Sequence, residues 1–378
     1  MPKQNVPALR LEGFSGEWEL KAIGELFAER NESFPEGELL SVTLRNGIKR
    51  FQEIGRHNTS NEDKSKYKLV EVGDIAYNSM RMWQGASGVS PWKGIVSPAY
   101  TVLKPVGSQD TPFFAYYFKT PFMIQVFQLN SQGLTSDTWN LKYPALSAID
   151  ICRPQDIEEQ QAIGAIFTNL DAAINQHTLK HKALQQAKTA LMQRMFPQEG
   201  QTVPELRLEG FSGEWKTASI GAVSALHNGR DYKHLGEGCI PVYGTGGYMA
   251  AVDQALSHDK DAVGIGRKGT INKPYILKAP FWTVDTLFYV VPNQDTDLAF
   301  FYASVLRVDW MAKNTATGLP SLTSQAINSA DISVPPTLEE QQAIGAVFTN
   351  LDQLIAAEAQ YIASLKQAKT ALLQRMFI

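Results

Sequence analysis

The chain is predicted to be an α+β protein on three observations: two long helical stretches, a strand-rich block before each, and a frame repeated around both. The architecture expected is two mixed α/β domains separated by two long antiparallel helices that pair as a coiled coil, a pseudo-twofold internal duplication. The helical stretches, residues 157–196 and 338–377, are identical at 25 of 40 aligned positions, at a constant offset of 181. A second repeat precedes each block: VPALRLEGFSGEW at 6–18 returns as VPELRLEGFSGEW at 203–215, with one difference in thirteen. The chain therefore divides into a first repeated segment (1–18), a first block (19–156), a helix (157–196), a linker with the second repeated segment (197–215), a second block (216–337) and a final helix (338–378).

In the first block, 68–72, 74–78 and 99–103 read as strands, and the aromatic run 112–128 as a helix under the sheet. In the second, 262–265, 275–277 and 283–291 read as strands and 298–313 as the matching helix. Polar loops follow at 130–139 and 314–324, then a short strand and a proline that admits the long helix. The two blocks share this order of parts and little else.

Each long stretch lacks interior Pro and Gly apart from Gly164 and Gly345 near its start. Apolar residues fall at steps of three and four, the signature of a coiled-coil seam. On the first helix these are Ile163, Phe167, Leu170, Ile174, Leu184 and Leu191. On the second they are Ile344, Phe348, Leu351, Ile355, Ile362, Leu365 and Leu372. At 1.5 Å per residue such a helix reaches roughly 58 Å, more than one globular domain needs. His177 and His181 fall on the seam. As metal ligands they lack a third partner. An antiparallel copy would instead bring Glu358 to them, a polar contact that sets register.

Length and composition permit two full cores: 378 residues, 44% hydrophobic, mean hydropathy −0.21. No secretory leader and no membrane-spanning run is expected, and Cys152 and Cys239 fall in different halves, so a cytoplasmic protein is expected. A net charge of −3 argues against a simple basic nucleic-acid binder. Residues 19–150 balance 14 Lys/Arg against 14 Asp/Glu, and 216–333 balance 10 against 10. A DNA reader of this composition needs locally placed cations, or a partner that supplies phosphate contacts.

Three segments carry candidate chemistry. Residues 264–269 match G-x-G-x-x-G after a strand, but a dinucleotide site also needs a helix to start there, and 270–274 lead back to strand. The segment instead presents Arg267, Lys268, Asn272 and Lys273 with no acid among them, suited to phosphate or base edges. The run 45–68 is basic, with Arg45, Lys49, Arg50 and Arg56 its DNA-facing candidates, although such a run can equally be a solvated face. Residues 78–84 combine Asn78 and Arg81 with an aromatic, and taken alone could be a packed hairpin. Ser136, Thr317 and Ser321 in the polar loops complete the set. No phosphate-binding loop, H-E-x-x-H or G-x-S-x-G elbow occurs, so no catalytic residue and no metal ligand is assigned.

These residues resemble the specificity subunits of type I restriction–modification systems over nearly the whole chain. The resemblance rests on LRLEGFSGEW before each block, GDIAYNSMRMWQGASG (73–88) with GIVSPAYTVL (94–103), GRKGTINKPY (266–275) with PFWTVDTLFYV (280–290), and the EEQQAIG helix starts. It implies two target-recognition domains, each reading one half of a split site in double-stranded DNA, with the helical pair fixing the spacer. It further implies two methyltransferase subunits that bring S-adenosylmethionine, and restriction subunits that bring ATP and Mg²⁺. The chain itself would hold no cofactor and perform no chemistry. Two other readings stay open on the residues: a bridging scaffold whose end domains bind proteins or glycans, and a nucleotide-dependent enzyme built on the glycine loop.

Overall fold

A computed structural model describes residues 5–44, 47–55, 57, 60–136 and 138–378. The chain divides into two units, residues 1–177 with 361–378, and residues 178–360. Both divisions fall inside the long helices, Ile157–Arg194 and Leu338–Arg375, of 38 residues each. Each unit is thus one block, the first half of the helix that follows it, and the second half of the other helix.

In the first unit a four-stranded antiparallel sheet runs in the order Phe27–Glu29, Tyr100–Pro105, Ile75–Asn78, Ser87–Val89. In the second unit the order Ser224–Asn228, Leu287–Pro292, Ala262–Gly266, Tyr275–Leu277 repeats that pattern, again antiparallel throughout. A hairpin accompanies each sheet: Leu40–Thr43 with Gly47–Arg50, and Glu237–Gly244 with Gly247–Val252. The repeated LRLEGFSGEW leads into a strand that pairs with the strand before the long helix, Glu19–Ala22 with Asp150–Arg153 and Lys216–Ser219 with Asp331–Val334.

The repeats build one buried latch, present in each unit. Arg10 holds Glu159 through two hydrogen bonds of 2.8 Å, and Arg207 holds Glu340 in the same way. Both carboxylates are 1% exposed, where an ionised group needs such a partner. The same guanidinium groups donate to carbonyls of the Gly13–Gly16 and Gly210–Gly213 turns, whose glycines all have φ of 85–92°. Only glycine takes that left-handed backbone without cost. The next residue, Gln160 or Gln341, accepts from the backbone N–H of Asp110 or Asp297. Those aspartates cap the helices Thr111–Tyr117 and Leu298–Leu306 by accepting from Phe113 N at 2.9 Å and Phe300 N at 2.8 Å. Gly164 and Gly345 let each long helix lie against its cap: a Cβ on Gly164 would sit 3.1 Å from Phe113 N and press on the Asp110 carboxylate.

Within each unit the helix halves run antiparallel. In the first, Asp171 pairs with Lys369 at 2.5 Å, His177 packs edge-on against Tyr361, and Phe377 stacks on Tyr117. In the second, Lys188 pairs with Asp352, Lys180 with Glu358, and Phe196 stacks on Phe300. Leu9 N donates to Arg375 O and Leu206 N to Arg194 O, both at 2.8 Å, tying each repeated segment to a helix end. Along the seam, Ile163, Phe167, Ile344, Phe348, Glu358 and Ile362 are buried. Leu170, Ile174, His177, His181, Leu184, Leu191, Leu351, Ile355, Leu365 and Leu372 are half-buried, as two-helix packing leaves one side of a seam to water.

Four expectations are corrected. The aromatic run 112–128 is two helices, because Thr120 caps a new one at Pro121–Asn130. The helix expected over 298–313 ends at Leu306, and the chain turns so that buried Trp310 donates to Val305 O. The strand expected over 283–291 is two: Trp282–Thr283 joins the hairpin sheet in parallel, then Leu287–Pro292 joins the main sheet. Short helices, Tyr143–Ser147 and Ser324–Asn328, stand between each polar loop and the last strand. Among the described residues no helix is long and apolar enough to cross a membrane.

Candidate nucleic-acid interface

In each unit the turn leaving a central strand meets the polar loop that follows the helices. In the first unit, Ile75–Asn78 ends in the turn 79–85, where Asn78 Oδ1 accepts from Met80 N and Trp83 Nε1 donates to Met80 O. Backbone bonds between Gln132 and Asn140 close the loop beyond, and Leu141 N donates to Ser79 O. Trp83 and Trp139 lock the two together edge to face, with centroids 5.3 Å apart. Arg81 and Ser136 are exposed on this platform, with Arg81 3.4 Å from Gln84 Oε1.

The second unit builds the same junction from different residues. Arg267 and Gly269 pair their backbones with Leu322 and Pro320, and Lys268 bridges to Ser321. Gly266 is required here because a Cβ would lie 2.9 Å from the Thr270 carbonyl carbon as the chain doubles back. No helix follows Gly269, and the chain returns to Tyr275–Leu277, so the dinucleotide cradle is not built. Arg267, Lys268, Asn272, Lys273 and Thr317 are exposed, and Ser321 is half-buried. Arg267 lies over the Phe288 ring at 5.7 Å, while Lys268 and Lys273 form no ion pair among the described residues.

A hairpin tip adjoins each junction. In the first unit Gly47 packs on Gly88, and a Cβ there would lie 3.7 Å from its Cα. Lys49 and Arg50 follow on that hairpin, half-buried; Arg50 lies over Trp92 at 5.3 Å and pairs with Glu38 at 3.4 Å, so its charge is already partnered. Arg45 and Arg56 lie outside the described residues. In the second unit the turn at Thr245 lies against Gly269, leaving Tyr248 66% and Met249 54% exposed. Tyr275 OH donates to Gly244 O at 2.6 Å, and burial pushes that phenol up, so it remains a donor. Sequence reasoning missed Tyr248, Trp139 and Asn140; the glycine-rich turn 244–247 was the available sign of the first. Among the described residues no three His, Cys, Asp or Glu side chains converge as metal ligands.

The family model for the type I restriction modification DNA specificity domain matches residues 15–185 and again 212–367. Among solved structures, the type I restriction-modification S subunit from M. genitalium is similar over 99% of both chains, at 16% identity and a TM-score of 0.68. A chain solved in work on complex assembly and conformational transition of the type I R-M system is similar over 97% of this chain and 99% of its own, at 16% identity and a TM-score of 0.51. A search of curated proteins found no match.

Proposed function

Since the chain belongs to the type I restriction–modification DNA specificity family, we propose that each unit reads one half of a bipartite, asymmetric DNA site and that the paired long helices set the unread spacer. The observation that carries this is one frame holding two different reading surfaces. Latch, cap and sheet order recur in both units, while the turn and loop surfaces carry half-buried Asn78 with exposed Arg81 and Ser136 in one, and exposed Arg267, Lys268, Asn272, Lys273 and Thr317 with half-buried Ser321 in the other. Base readout needs its own donors and acceptors for each half-site, so the frame repeats and the loops diverge.

The chain is a non-catalytic specificity subunit, and chemistry enters with its partners. Two modification subunits holding S-adenosylmethionine dock on the helical pair and methylate adenine N6. Restriction subunits using ATP and Mg²⁺ join them to cut DNA. Partners that surround the duplex also supply phosphate contacts beyond the few that the charge-balanced blocks can offer.

Mapping methylated adenines in cells that express the chain with its modification partner tests this. A two-part motif with a fixed gap is expected, and exchanging residues 19–156 for another family member's block should change one part alone. Methylation without a split motif, or a swap that alters both parts, would sink the proposal. Bound partners with no shift of DNA in a gel would favour the scaffold reading instead.

A further inference from the structure

A cleft of about 260 Å³ opens in the first unit beside the turn 79–85. Ser79, Met80, Tyr100, Asn140, Lys142 and Tyr143 line it, so both the strand turn and the polar loop contribute. Among the described residues Asn140 is held by its backbone alone: its N donates to Gln132 O at 2.8 Å and its O accepts from Gln132 N at 3.0 Å. Its side-chain Oδ1 is buried and has no hydrogen-bond partner among the described residues. A buried amide oxygen without a partner is costly, and a water, an ion or a ligand group is what completes such an atom.

We infer that Asn140 is a base-reading residue whose amide takes the amino-bearing edge of a nucleobase in this cleft; the inference rests on the proposed DNA-reading function and extends it to a residue. The chemistry fits. An amide offers an acceptor to an exocyclic amine and a donor to the adjacent ring nitrogen, the pairing that selects adenine among base edges. Met80 and Tyr100 add apolar walls for a base, and Lys142 stands by for its phosphate. The base can be presented by an intact duplex or taken out of its stack.

The test uses the chain assembled with its modification partner. Asn140→Asp keeps the shape and removes the donors; Asn140→Ala removes the whole amide; neither touches the backbone bonds to Gln132. Both should relax one base position in one half of the methylated motif, with discrimination there falling roughly 5- to 100-fold and the other half unchanged. A merely structural role would lower modification at every site without altering the motif, and that result overturns the inference. So does an unchanged motif in both variants. A wild-type complex that methylates without a split motif sinks the underlying function first, which keeps the two failures distinct. With 2-aminopurine at the position concerned, a rise in fluorescence on binding marks an unstacked base, and steady quenching marks readout in the duplex.

Discussion

Arg10 and Glu159 lie 149 residues apart in the chain and meet through two parallel hydrogen bonds, with the carboxylate sealed from water. The same bond joins Arg207 to Glu340, so the two most closely repeated segments exist to make one contact twice. Arg10→Ala would strand a buried carboxylate. A loss of about 3–5 kcal/mol is expected, with Arg10→Lys intermediate because one cation cannot reproduce the fork. Chemical denaturation of the assembled complex measures it, and a loss under about 1 kcal/mol would show that the pair carries no such weight.

Gly164→Ala should destabilise although alanine is the better helix former, by about 1 kcal/mol in an open helix. The added methyl would press on the Asp110 carboxylate and the first turn that it caps. Gly345→Ala should behave alike, since its methyl would lie 2.9 Å from both Ala299 Cβ and Phe300 N. Melting temperatures settle the sign: a rise in either variant would mean that the helix can back away from its cap.

The seam pairs set register more than they add stability. Asp171 accepts from Lys369 at 2.5 Å and from Tyr116 OH at 2.8 Å, with the carboxylate 45% exposed. A pair so open to solvent contributes about 0.2–1 kcal/mol and weakens with salt. Asp171→Lys should lower the melting temperature slightly, and adding Lys369→Asp should restore it. If the double variant melts no higher than the single, the charges are not a matched pair.

Among the described residues Lys268 and Lys273 are exposed and form no ion pair, so each ammonium group is available to a DNA phosphate. Replacing either with Ala should weaken DNA binding of the complex about equally for all sequences and lower the slope of log affinity against log salt by about one. Titrations at several salt concentrations check this. A change confined to one base position would instead make the lysine a base reader.

Much of this architecture is legible in the amino-acid sequence. The helices announce themselves because apolar steps of three and four are a local signal, written within a few turns. The corrections come from local chemistry that periodicity does not record. Thr120 and Pro121 restart a helix in the middle of the aromatic run, and Leu287 begins a new strand after a turn closed by its own N–H on Val284 O. The reading surfaces were only partly visible. Arg81 and Lys268 could be picked out by type, whereas Asn140 is an ordinary polar loop residue in sequence and stands out only through the cleft around it.

By itself, the amino-acid order determined the duplicated frame and the two long helices, since repeated residues must satisfy the same buried partners and helical periodicity is a property of adjacent turns. Tertiary structure alone decided which loops share a surface. Trp139 reaches Trp83, and Ser321 reaches Lys268, because pairings between distant strands such as Ala262–Gly266 and Leu287–Pro292 bring their ends together. Polar loops bury too little to encode that meeting themselves, so their position is inherited from the packed sheet beneath them.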